Sequence, residues 1–254
     1  MSGQTTQPRE HGSSVNPARI RRERRRVYDR GPRPWMRGRL HGAAAWYFGG
    51  TGTALTVVAA ATHGLSLMTL FTAIYAACLV GMLMVSAIYH RAPWRSAEAI
   101  DGWRRADHAM IAVFIAGTYG PLTVGAFGTD FFIGKGLLNF GGLWILLVCW
   151  IAAIAAVVLN VFWIDHPRWL DVTVYLTLGW LAVIGALGYL EALGTAISVL
   201  MLLGGLVYSA GAIVYAKKWP NPSDRWFGFH EVFHAATIVA AVLHHVAIWM
   251  LVVL

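Results

Sequence analysis

Seven stretches of this chain, at roughly 43–62, 65–90, 107–127, 137–159, 172–190, 192–216 and 230–254, are apolar over the length a helix needs to cross a bilayer. That length is about 20 residues. With 57% apolar residues, 13% charged residues and a mean hydropathy of +0.58, the whole chain is too apolar for a soluble domain of its size. Strand barrels would show alternating segments of about ten residues, a pattern absent here. The expected architecture is an all-α membrane protein, a bundle of seven transmembrane helices in a multi-pass plasma-membrane protein.

Charge orients the bundle. Lysine and arginine are retained on the cytoplasmic side. With the N-terminus inside, the inner segments hold 19 of the 20 basic residues, and the outer segments hold only Lys135. The expected topology is therefore N-terminus cytoplasmic and C-terminus outside, which an odd number of spans also requires.

Residues 1–36 read as a disordered, Arg-rich cytoplasmic tail and 37–254 as the membrane domain. Six arginines between Arg19 and Arg26 suit anionic inner-leaflet lipids as well as a simple topology signal. Nothing beside them supports a nucleic-acid partner, and no cleavable signal peptide is visible. Cys78 and Cys149 lie mid-span, far from any paired spacing, and read as small buried hydrophobes.

Against this apolar background four polar residues fall at one depth. His90 closes the second run, Asp107 opens the third, and His230 and His234 open the seventh, all at the cytoplasmic face. Residues four apart on a helix share a face and lie one turn apart, so the last two imidazoles suit one metal ion. Ionisable groups inside a span are costly and mark function more often than they do in water.

Three histidines around Zn²⁺ leave a fourth tetrahedral position open, the pattern of a catalytic rather than a structural site. Asp107 then holds or deprotonates the water there, and Ser86, one turn before His90, orients Asp107 or donates to a developing oxyanion. Other readings give Asp107 a helix-capping role and Ser86 a packing role. His41 and His108 also fall at the cytoplasmic face and read as interfacial residues rather than ligands. His63, His244 and His245 belong to the outer half.

Three motifs now carry a resemblance: Ser86-Ala87-Ile88-Tyr89-His90, Asp107-His108, and His230-Glu231-Val232-Phe233-His234. In this order and membrane placement, the chain resembles the hemolysin III family of the progestin and adipoQ receptor superfamily, over residues 41–254. The resemblance implies a zinc ion held by His90, His230 and His234, with Asp107 on its water and Ser86 behind it. It also implies kinship with the alkaline ceramidases, which hydrolyse a lipid amide at a similar embedded zinc site, and a role in membrane homeostasis. One motif departs: where the family has an acidic or Asn-containing stretch before its first His-Gly, this chain has Arg37-Gly38-Arg39-Leu40 ahead of His41-Gly42.

The expected function is zinc-dependent hydrolysis of an amide or ester in a membrane lipid, reached from the inner leaflet. Two further readings keep the zinc without turnover: a sensor of lipid or membrane state, and a purely structural metal. A fourth takes His230-Glu231-Val232-Phe233-His234 as H-E-x-x-H, with Glu231 the general base of an intramembrane protease.

Overall fold

The computed structural model describes residues 33–128, 142–163 and 165–254, and over these the chain is helical. The helices are α1 (Arg39–His63), α2 (Leu67–Arg91), α3 (Ala97–Phe127), α4 (Gly142–Phe162), α5 (Arg168–Gly179), α6 (Ala186–Lys217) and α7 (Phe229–Val253). The Arg-rich stretch before residue 33 and Lys135 lie outside the described residues.

Five helical stretches are long and apolar enough to cross a membrane: α2, α3, α4, Tyr189–Lys217 within α6, and α7. Their outward faces agree with that. Ile151, Ile154 and Val158 on α4 and Leu202, Leu203 and Leu206 on α6 are all exposed. In water, contiguous apolar faces of this kind would drive association. In lipid they are the solvated surface. The molecule is a membrane protein.

Consecutive helices pack on one another from α1 to α4, α6 packs along α7, and α1 also packs against α7, which brings the first and last described helices together. The shared core is built from Phe48 and Leu55 of α1, Tyr75, Leu79 and Leu83 of α2, Phe114 of α3 and Ile248 of α7. Both cysteines are buried and unbonded.

The fifth apolar run is not a plain helix. After α5 the chain tightens into a 3-10 turn over Trp180–Gly185, resumes as α6, and is broken at Gly194 (φ 78°, ψ 169°). That break falls near the start of the sixth expected run, at a residue without the Cβ that penalises positive φ. Backbone groups released by a change of helix type need partners in lipid. Tyr119 of α3 supplies them: its hydroxyl lies 3.0 Å from the carbonyls of Leu178 and Gly179 and accepts from the Ala182 N–H at 3.0 Å.

The third apolar run also begins earlier as a helix than as a hydrophobic stretch. Ser96 caps α3, its hydroxyl accepting from the Ala99 N–H at 3.2 Å. Asp107 therefore sits inside the helix, nearly three turns from its start, and the capping alternative does not apply.

Candidate metal centre

Each site residue is placed by a local device. α2 ends at Arg91 because Pro93 disfavours helical geometry at Ala92, which is extended, leaving His90 in the last turn. α7 starts at Phe229, where Glu231 folds back to accept from the Gly228 N–H at 2.9 Å and Asn221 Oδ1 accepts from the Phe229 N–H at 2.9 Å. This sets the first turn and aims His230 and His234 to one side.

The three imidazoles converge. One ligand nitrogen or equivalent atom from each of His90, His230 and His234 lies within 4.8 Å of the others. His90 Nε2 and His230 Nε2 are 3.3 Å apart. Ligands on a tetrahedral zinc with bonds of 2.0–2.1 Å sit about 3.4 Å from one another, so this spacing fits. His234 is almost fully buried and its Nδ1 has no hydrogen-bond partner among the described residues. A nitrogen-rich donor set of this kind matches zinc better than calcium or magnesium, which seek oxygen.

Asp107 stands beside this set, its Oδ2 at 3.7 Å from His90 Nε2. Ser86, His41, Asp107, His230 and His234 line one end of a cavity of about 290 Å³. Its remaining wall is mostly apolar, including Ile115, Leu122, Leu176, Leu193 and Met201, and it runs between α3, α5, α6 and α7 as far as His244. The sequence-selected residues are thus brought to one place, with Ser86 on the cavity wall rather than in the imidazole cluster.

His63, His244 and His245 stay apart from the cluster, as their position along the helices requires. His245 is held by Tyr75 Oη at 3.2 Å and by the Trp249 indole N–H at 3.1 Å. His244 contacts the Met201 carbonyl at 3.1 Å, and His63 contacts the Val252 carbonyl at 2.9 Å.

Two features were not anticipated. His41 is not interfacial: it is buried and stacks on His234, ring centroids 3.8 Å apart and 12° from parallel. The preserved His41-Gly42 pair was the available signal, but nothing in spacing alone brings the first helix against the seventh. The second is Arg37, which forms an ion pair with the buried carboxylate of Glu231. Both Glu231 oxygens are thereby engaged, one by Arg37 and one by the Gly228 N–H. A general base needs a free carboxylate facing the water it activates, so the protease reading of Glu231 loses its support.

The segment before α1 ties these elements together. Arg33 donates to the His90 carbonyl at 2.9 Å, while the Trp35 and Met36 N–H groups donate to the carbonyls of Arg225 and Trp226 at 2.9 and 3.2 Å. It thus bridges the end of α2 to the loop that launches α7, the two places that carry the imidazoles.

Comparison with known proteins agrees with the arrangement. The pattern of the family described as "Haemolysin-III related" matches residues 30–245. The chain is similar to the "Hemolysin-3 homolog" of Bacillus subtilis (strain 168), 30% identical over 179 residues, which cover 70% of this chain and 73% of that protein. It is also similar to "Hemolysin-3" of Bacillus cereus, 24% identical over 176 residues, covering 69% and 75% of the two chains. The chain belongs to the haemolysin-III-related family.

Proposed function

We propose that this protein is a zinc-dependent hydrolase of an amide or ester in a membrane lipid, acting in membrane homeostasis, with residues 37–254 forming a seven-span domain. Its N-terminus is cytoplasmic, its C-terminus is outside, and the site lies at the inner-leaflet level. The carrying observation is that His230, His234 and Asp107 line one end of a mostly apolar cavity, where His90 converges on the two other imidazoles. Such a cavity suits an amphiphile whose chain fills the apolar part while its polar group meets the site.

His90, His230 and His234 are the residues that would hold the metal. Bound there, zinc would supply Lewis acidity, making water a better nucleophile and the carbonyl a better electrophile. The chain's own contribution is to position and move protons. Asp107, beside the imidazoles but outside their set, accepts a proton from the attacking water and returns it to the leaving group. Ser86 faces the cavity and donates to the oxygen that gains charge as the carbonyl is attacked. His41, stacked on His234, limits the ring's rotation and keeps bulk water from that side. The apolar wall excludes solvent, which strengthens each of these interactions.

The test is metal analysis of the detergent-purified protein together with fatty-acid release from a long-chain lipid amide. About one zinc per chain and release that is lost on chelation and restored by zinc are expected. Zinc without release from any lipid amide or ester would leave a zinc-dependent sensor, and no zinc would remove the reading altogether.

A further inference from the structure

A second polar station lies on the wall of the same cavity, and the imidazole site does not use it. Asp171, in the first turn of α5, is 4% exposed, yet its carboxylate lines the cavity beside His108 and Tyr175. Imidazoles flank it on two sides: His108 Nδ1 is 3.5 Å from Oδ2, and His166 Nε2 is 3.4 Å from Oδ1. Neither contact is aligned as a hydrogen bond, and Oδ1 has no hydrogen-bond partner among the described residues. Tyr175 also interacts with the carboxylate, so Oδ1 is its one oxygen without a hydrogen bond, an uncommon state for a buried acceptor.

The station is held in place from outside. Tyr175 Oη donates to the His108 carbonyl at 2.9 Å and receives a hydrogen bond from Asn160 Nδ2 at 3.3 Å. His108 directly follows Asp107 on α3, and one residue of helix advances only about 1.5 Å. The two stations therefore lie at one depth, on neighbouring parts of one wall.

We propose that Asp171, with His108 beside it, is a head-group subsite that accepts a hydrogen bond from a hydroxyl carried by the lipid a few atoms from its scissile carbonyl. This rests on the lipid-hydrolase reading and narrows its substrate class to hydroxyl-bearing amphiphiles. A carboxylate is an acceptor only, so it selects a donor and rejects the same head group capped by a methyl. An apolar cavity by itself would make the opposite choice, since methylation adds apolar surface.

The experiment uses the full chain in lipid nanodiscs and two uncleavable probes, the dodecanesulfonamide of ethanolamine and its O-methyl ether. The parent protein is expected to bind the free hydroxyl about tenfold more tightly, the scale of one hydrogen bond to a charged group. Asp171→Ala is expected to erase or reverse that preference, and Asp171→Asn to reduce it, with zinc content unchanged in both. Equal binding of the two probes by the parent overturns the subsite whether or not the variants fold, as does a preference that survives in Asp171→Ala. Hydrolysis of the corresponding dodecanamide is measured in parallel. A hydroxyl preference that depends on Asp171 in a protein without zinc or turnover would uphold the subsite and refute the hydrolase, while turnover without the preference would do the reverse.

Discussion

Arg37 and Glu231, 194 positions apart, form an ion pair in which the carboxylate is wholly buried. The pair joins the segment before α1 to the first turn of α7, one residue beyond His230. Removing one partner of a buried pair leaves an uncompensated charge. Arg37→Ala is expected to destabilise the protein by about 3 kcal/mol, read as a lowered unfolding temperature in detergent. The double variant with Glu231→Gln should recover part of that loss, because the orphaned charge is then gone.

Gly38 is a second structural demand made by the same segment. Its φ is 73°, and a Cβ added there would lie 2.7 Å from the Cβ of His90. Gly38→Ala therefore meets both backbone strain and a collision with a proposed ligand, for a cost of at least about 1 kcal/mol. Lower thermal stability and weaker zinc retention during dialysis against a chelator are the expected results. Unchanged retention would show that the ligand tolerates the displacement.

The ligand assignment is tested by metal content. His90→Ala, His230→Ala and His234→Ala should each lower zinc per chain, since a site with two imidazoles left holds zinc poorly. His245→Ala should retain the metal, because that ring is engaged by Tyr75 and Trp249 instead. Equal content in all four purified variants would remove the three-imidazole site.

Sequence reasoning reached the cluster because membrane burial and helical period act on single segments. His230 and His234 share a face by spacing alone, and charge asymmetry put His90 and Asp107 at their depth. What stayed hidden depends on which helices are neighbours. The stacking of His41 on His234 and the pairing of Arg37 with Glu231 both arise from α1 packing on α7, which no local period records. The arginine that looked like a departure from the family motif has a partner of opposite charge inside the opposite end of the chain. His166 and Asp171 went unremarked because they sit around the turn into α5, where polar residues are ordinary until their burial is known. Asp107 was misplaced relative to its helix start because hydrophobicity begins later than helical geometry does.

Topology is accessible to labelling. Cys78 and Cys149 are buried, so an impermeant thiol reagent on intact cells should find little in the parent protein. Arg95→Cys, in the α2–α3 connection, should remain unlabelled, while Lys135→Cys should react. Efficient labelling at position 95 would invert the bundle and move the site to the outer leaflet.

The assignment of the proton-handling group can be decided between two carboxylates of unlike surroundings. Asp107 lies 3.7 Å from His90 Nε2 on the cavity wall, whereas Glu231 is spent on Arg37 and the cap of α7. Asp107→Asn keeps the shape but loses the base, so it should retain zinc while turnover of a lipid amide falls by about 100-fold or more. Glu231→Gln should lose stability before it loses chemistry, because the amide still accepts from the Gly228 N–H but no longer balances Arg37. Zinc content is measured beside activity in both, since metal loss would imitate loss of the base. A zinc-loaded Asp107→Asn protein with full turnover would take proton transfer away from Asp107, and a folded Glu231→Gln protein that binds zinc yet is inert would return it to Glu231.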